Sequence, residues 1–175
     1  ALFGAGMGAL IHYFKLKPFI VTLAGMFLAR GLCYLVSINS ITIDDPLFVA
    51  MSHTQVALPG GFVSPSVLLA LAMLLLAVFV AHYTAFGRAV YAIGGSEQSA
   101  LMMGLPVART KVLVYAISGW CAALAGLLFS FYMLSGYGLH AQGTELDAIA
   151  AVVIGGTLLS GGYGYIAGAL SGVLV

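Results

Sequence analysis

From Pro65 to Tyr83 the chain runs almost entirely through Leu, Ala, Val and Met without one Asp, Glu, Lys or Arg. A helix over that stretch is long enough to cross the roughly 30 Å of hydrocarbon in a bilayer. Residues 19–37 and 111–134 make two further runs of membrane length. Inside lipid the backbone must satisfy its own hydrogen bonds, and unbroken apolar runs do so as helices. Charged residues make up only 6% of the chain, against about a quarter in a soluble domain. So few polar groups cannot coat a water-facing surface. The expected fold is all-α: a polytopic transmembrane helical bundle forming a single membrane domain.

In order, spans are expected over about 1–14, 19–37, 65–83, 111–134 and 163–175. Gly4 and Gly8 stand four apart, a small-residue pattern that lets helices approach closely. Ser118, Ala122, Gly126 and Ser130 repeat the pattern and predict a second contact face. Pro18 and Pro65 suit first turns of helices. Residues 38–64 form a loop marked by Asp44-Asp45-Pro46 and Pro59-Gly60-Gly61. Both ends, Ala1 and Val175, fall inside apolar runs, so the chain is read as part of a longer one.

Five of the six basic residues, Lys15, Lys17, Arg88, Arg109 and Lys111, fall on one side by parity of the spans. The loop 38–64 opposite carries two Asp and no Lys or Arg. The positive-inside bias then makes 84–110 cytoplasmic and 38–64 outward-facing. Tyr34, Tyr83, Tyr115 and Tyr132 lie near span ends, where interfacial aromatics collect.

The cytoplasmic break at 84–110 contains a short helix with a signal at each end. Ser96 can cap the free amides and Glu97 suits the positive end of the helix dipole. Gly104 offers a left-handed stop, and Pro106 forbids continuation. Between them Gln98, Ser99, Ala100, Leu101, Met102 and Met103 leave a partly apolar, adaptable surface outside any span. Two turns of helix do not stand alone in water. Either the helix lies on the lipid surface, or the spans or a partner hold it.

Thr84-Ala85-Phe86-Gly87-Arg88, then Val90-Tyr91-Ala92-Ile93-Gly94-Gly95, resembles the cytoplasmic loop of permease subunits in bacterial sugar ABC importers of the ribose, xylose and galactofuranose type. Ser99-Ala100, three residues and Gly104 resemble that loop's Ala-Ala-x-x-x-Gly core. Ser96, Gln98 and Leu101 stand where the family usually has Asn, an acid and often Arg. The resemblance implies that residues 94–104 form a coupling helix docking on a separate ATPase subunit. It implies ATP-binding subunits, a second permease subunit and a periplasmic or secreted sugar-binding protein as partners, in a bacterial inner membrane. ATP would act in the partner, and no cofactor is expected in this chain. The wording around Gly25-Met26-Phe27 and 155–162 is nearest the galactofuranose type.

Beyond Leu134 the pattern changes. Gly136, Gly138 and Gly143 make an irregular outer loop, and Thr144-x-x-Asp147 reads as a capping-box helix start. The apolar run behind it is too short to span and ends at Gly155-Gly156, with more glycine turns beyond. A capped half-helix over 144–156 points to a re-entrant or broken element, which survives only where protein or a wet cavity supplies hydrogen bonds. The alternative is one short, tilted part of a packed bundle. Residues 143–157, Gly-Thr-Glu-Leu-Asp-Ala-Ile-Ala-Ala-Val-Val-Ile-Gly-Gly-Thr, closely match a second motif of the same family.

Arg30 lies within a span, where a charge costs about 2.5–3.5 kcal/mol on insertion scales. It either lines the substrate path with Glu145, Asp147, Gly155 and Gly156 or snorkels to the outer surface. Asp147 has a plainer reading as a cap alone. No catalytic constellation stands out: Ala116-Ile117-Ser118-Gly119 comes within one residue of the Gly-x-Ser-Gly of intramembrane serine proteases, with His140 as a candidate base, and small residues on a packing face account for it. The glycine-rich 155–164 lacks the Gly-Lys-Ser/Thr ending of a phosphate loop, so the chain itself does not hydrolyse ATP. Two isolated cysteines and four scattered histidines give no metal site, and no basic cluster points to nucleic acid. A secondary transporter with broken helices is the remaining alternative, though every acid here lies in a loop or at a helix start.

Overall fold

A computed structural model describes residues 1–46, 48, 56–58, 61–158 and 161–174. The helices are α1 Leu2–Tyr13, α2 Pro18–Val36, α3 Pro65–Tyr83, α4 Ala85–Gly95, α5 Glu97–Met102, α6 Val107–Met133, α7 Thr144–Ile154 and α8 Ile166–Val173. Short strands accompany them: β1 Ile41–Thr42, β2 Val56–Leu58, β3 Gly61–Val63 and β4 Ser135–Gly136. The strands pair two by two, β1 with β4 and β2 with β3, both antiparallel. The turn expected at Pro59-Gly60 lies outside the described residues. The chain divides into two compact units, residues 1–70 with 111–140 and residues 71–110 with 141–175.

In the first unit α1 packs antiparallel on α6. Gly4 meets the Tyr115 carbonyl, and a β-carbon added at Gly8 would stand 3.0 Å from the Val112 Cα. Only glycine allows backbones to approach this closely, so the pair four apart in α1 is the contact. Helix α6 meets α1 through Val112, Tyr115 and Gly119, while on the face predicted for helix contact Ser118, Ala122 and Gly126 are exposed in this chain and Ser130 is half-buried. Gly25 of α2 receives Met7 and Phe3 of α1. At the far end Ile41 pairs with Gly136 and Thr42 with Ser135. The chain leaving α2 therefore meets the chain leaving α6, and the Lys15–Lys17 link lies toward the start of α6.

Helix α6 begins at Val107, four residues before the expected span. Pro106 precedes it, where the missing proline N–H costs nothing, and its carbonyl accepts from both Thr110 N and Thr110 Oγ1 at 3.0 Å. Its 27 residues rise about 40 Å, more than the hydrocarbon thickness. α2 and α3 have 19 residues each, or about 28 Å.

In the second unit α7 and α8 form an antiparallel pair. Gly155 and Gly168 meet backbone to backbone, and Gly172 meets the Ala151 carbonyl. The helix within the last expected span covers only Ile166–Val173, because residues 161–165 fold into a turn that precedes it. α3 buries none of its side chains, and Leu75 and Phe79 are well exposed. Leaving a large apolar side chain in water forfeits about 1.5–3 kcal/mol, so lipid or neighbouring protein must cover such helices.

Candidate functional site

The break between α3 and α6 is built around two capped corners. At the first, Thr84 Oγ1 donates to the Val80 carbonyl at 2.6 Å and accepts from the Gly87 N–H at 3.2 Å. One side chain thus ends α3 and begins α4. Gly87 lies against the Ala81 carbonyl, which leaves no room for a β-carbon. The Thr84-x-x-Gly87 part of the loop motif is therefore a tight helix–helix corner. Ala85–Gly95 form helix α4 rather than a loop, with Gly94 and Gly95 as its last residues. The helical signal was present in Phe86, Ala89, Val90 and Ile93 at three- and four-residue spacing, but the glycines on either side masked it.

At the second corner Ser96 closes α4 with its amide, donating to the Ala92 carbonyl at 3.1 Å. It opens α5 with its hydroxyl, accepting from the Ser99 N–H at 3.2 Å. Its Oγ also lies 2.9 Å from Ser99 Oγ. Glu97 stands in the first turn of α5, as the helix dipole favours. Gln98 is exposed. Ala100 is completely buried and pins the helix down. Leu101, Met102 and Met103 project at 56%, 87% and 66% exposure. The anchor and the exposed apolar tip are adjacent residues on one short helix.

Gly104 ends α5 at φ +76°. Leu105 N–H reaches back to the Ala100 carbonyl at 3.1 Å and Gly104 N–H to Leu101 at 3.0 Å, the paired closure of a Schellman motif. A β-carbon at Gly104 would meet nothing within 4 Å, so the conformation alone requires glycine. Gly104→Val should therefore misdirect the chain leaving α5, at about 1–2 kcal/mol for the left-handed position. Gly104→Asn, which tolerates that region, should retain most of the activity. Transport assays on both variants check this; equal loss in both would mean that the position matters for something other than its dihedral angle.

The residues proposed for the substrate path are more dispersed. Arg30 is half-buried in α2, within the first unit. Glu145 and Asp147 lie in the first turn of α7, within the second. The expected capping box does not form: Gly143, at φ +89°, is the cap residue, and Thr144 is already helical. The Gly143 carbonyl accepts from Leu146 N at 2.8 Å and Asp147 N at 3.3 Å. Asp147 is thus a first-turn acid beside the helix dipole and no partner of a Thr144 cap. Gly155 and Gly156 sit at the opposite end of α7, about 16 Å away for eleven residues. Gly156, at φ +87°, closes α7 with a second Schellman pattern, Thr157 N–H to Val152 and Gly156 N–H to Val153. Gly155 packs on Gly168.

The protease-like pair is not assembled. His140 lies between the rings of Phe129 and Tyr137, at centroid distances of 5.8 and 5.4 Å. Ser118 is eleven residues before Phe129 on the same helix, about 16 Å along its axis. A hydrogen bond between Ser118 and His140 is out of reach.

Apolar helices of membrane length, joined by a doubly capped corner that holds an exposed apolar tip, define a polytopic helical membrane protein. The chain belongs to the family described as branched-chain amino acid transport system / permease component, which matches residues 1–175. It is 50% identical over 174 residues to the inner membrane ABC transporter permease protein YjfF of Escherichia coli, covering 99% of this chain and 53% of that one. The fructose import permease protein FruG of Bifidobacterium longum is 40% identical over 183 residues, covering 100% and 54%. The ribose import permease protein RbsC of Bacillus subtilis is 41% identical over 173 residues, covering 96% and 52%. The chain spans about half the length of the curated relatives it matches. No solved structure matches it.

Proposed function

We propose that this chain is part of the permease subunit of an ATP-driven sugar importer of the bacterial inner membrane. The observation that carries this reading is the α4–α5 corner, with Ala100 buried and Leu101, Met102 and Met103 exposed beside it. A short helix pinned at its base and apolar at its tip can take a push without unfolding. The basic residues Arg88, Arg109 and Lys111 around it support a cytoplasmic position, where ATP is available. The sugar names of several relatives, fructose, ribose and arabinose among them, support the substrate class. The permease holds no cofactor; ATP is hydrolysed in partner subunits. A second permease subunit completes the path, and a sugar-binding protein delivers substrate from outside. Galactofuranose is the sugar we assign, on the wording around Gly25-Met26-Phe27 and 155–162.

Reconstitution of the full permease with its ATPase and binding protein tests this reading against a panel of labelled sugars. Uptake should require ATP and should be greatest for galactofuranose. Uptake driven by an ion gradient without ATP would make the chain part of a secondary carrier. Preference for another sugar would remove galactofuranose while keeping the importer.

Arg30 braces the substrate path in this reading. Its side chain is half-buried. Arg30→Leu keeps an apolar body and removes charge and donors, and uptake should fall at least tenfold, about 1.4 kcal/mol in the transport step. Wild-type uptake by a normally inserted Arg30→Leu permease would return this side chain to the snorkelling alternative.

A further inference from the structure

We infer that the glycine turn at Gly161-Gly162 reaches the cytoplasmic face and seats against the end of α4, so that α7 and residues 155–158 lead across the membrane to it. This rests on the cytoplasmic placement of α4 and α5 proposed above. A β-carbon added at Gly162 would stand 3.6 Å from the Gly94 carbonyl oxygen, and one at Gly161 4.0 Å from it. Gly94 is the penultimate residue of α4, two before the Ser96 corner that starts α5. The turn and the coupling corner therefore occupy one place within the second unit.

The turn is folded and does not merely pass by. Leu158 N–H donates to the Tyr163 carbonyl and Gly161 N–H to the Leu158 carbonyl, each at 3.0 Å. Gly161 and Gly162 both take left-handed φ, +86° and +87°, a conformation that side chains resist. Length is consistent with a crossing. Residues 144–156, the helix with its closing turn, rise about 20 Å, and Thr157 and Leu158 add at most about 7 Å. Together they come close to the roughly 30 Å of hydrocarbon between the outer loop and the cytoplasmic surface. Polar backbone at that depth needs protein around it, and α8 supplies it by packing antiparallel along α7. α8 accordingly runs from the cytoplasmic side outward. A push on α5 would reach α7 through this seat, with no intervening span.

The test is the side from which Tyr163, which is exposed, can be labelled. In the full-length permease without its ATPase subunits, which would cover Gln98, and with Cys33 and Cys121 replaced by Ser, Tyr163→Cys and Gln98→Cys are treated separately with an impermeant maleimide. Right-side-out and inside-out vesicles are compared, and Tyr165→Cys serves as a second reporter of the turn. Both positions should label in inside-out vesicles only. Labelling of Gln98→Cys from outside would overturn the cytoplasmic corner itself. Cytoplasmic labelling of Gln98→Cys, with Tyr163→Cys and Tyr165→Cys reached only from outside or from neither side, would overturn this inference alone.

Discussion

Met103→Asp is expected to abolish coupling between ATP hydrolysis and transport while the permease still inserts and folds. Met103 is 66% exposed at the tip of α5, beside Met102 at 87%. It is the C-cap residue of α5 but serves through its backbone, its N–H donating to the Ser99 carbonyl at 3.0 Å, so the side chain is free to change. A carboxylate there costs the isolated subunit little, since water solvates it. Once an ATPase groove closes over the tip, the same carboxylate is desolvated without a partner, at about 3–5 kcal/mol. By the tenfold-per-1.4 kcal/mol rule, the docked state should weaken by more than about a hundredfold. Purified complexes report the outcome twice, as ATPase stimulation by loaded binding protein and as uptake into vesicles. Retention of both would refute docking and leave α5 as a helix lying on the lipid surface. A methionine-to-leucine change at the same place should be nearly silent, because it keeps the apolar, flexible contact.

The second large effect is expected at Gly168. Its missing side chain is where Gly155 of α7 passes backbone to backbone. Gly168→Val would set a branched carbon against main-chain atoms that cannot swing aside, so α7 and α8 must part. Overpacking of this kind costs about 1–3 kcal/mol in tolerant sites, and separation of a helix pair held by small residues should exceed that. The purified permease should melt at lower temperature and lose sugar uptake. Gly6→Val is the control, since a β-carbon there meets nothing within 4 Å. Equal melting temperatures for the two variants would show that the α7–α8 contact contributes nothing particular.

The two results separate contact from support. Met103 acts on a surface that the folded chain already presents, so its variant should fail only when the partner arrives. Gly168 acts inside the chain, so its variant should fail before any partner is added. Measuring thermal stability alongside coupling therefore tells which link has broken.

Much of this organisation was legible in the residues because its causes are local. The limits of α3 follow from Pro65 and an uncharged run, and those of α5 from Ser96 and Gly104, whose cap and left-handed stop act within a few residues. The small-residue pair Gly4 and Gly8 also announced a close helix contact, though not its partner. α4 was hidden because Gly87, Gly94 and Gly95 read as loop punctuation while its apolar spacing was short. Thr144 carried the side chain of a capping residue, yet the preceding Gly143 could enter the left-handed region and took the cap.

Composition alone determined that this chain lives in a membrane: with 62% hydrophobic and 6% charged residues, no water-facing surface could be built. The alternation of apolar runs and polar breaks likewise determined the order of the three helices of membrane length. Only the tertiary structure decided which glycines face which backbone. It put Gly4 and Gly8 on Tyr115 and Val112, Gly155 on Gly168, and Gly161-Gly162 beside Gly94. Spacing along one helix reveals that a face is narrow, but a glycine carries no side chain that could name its partner. That choice depends on how distant segments share space: α1 takes the Tyr115 and Gly119 side of α6 and leaves Ser118, Ala122 and Gly126 exposed in this chain.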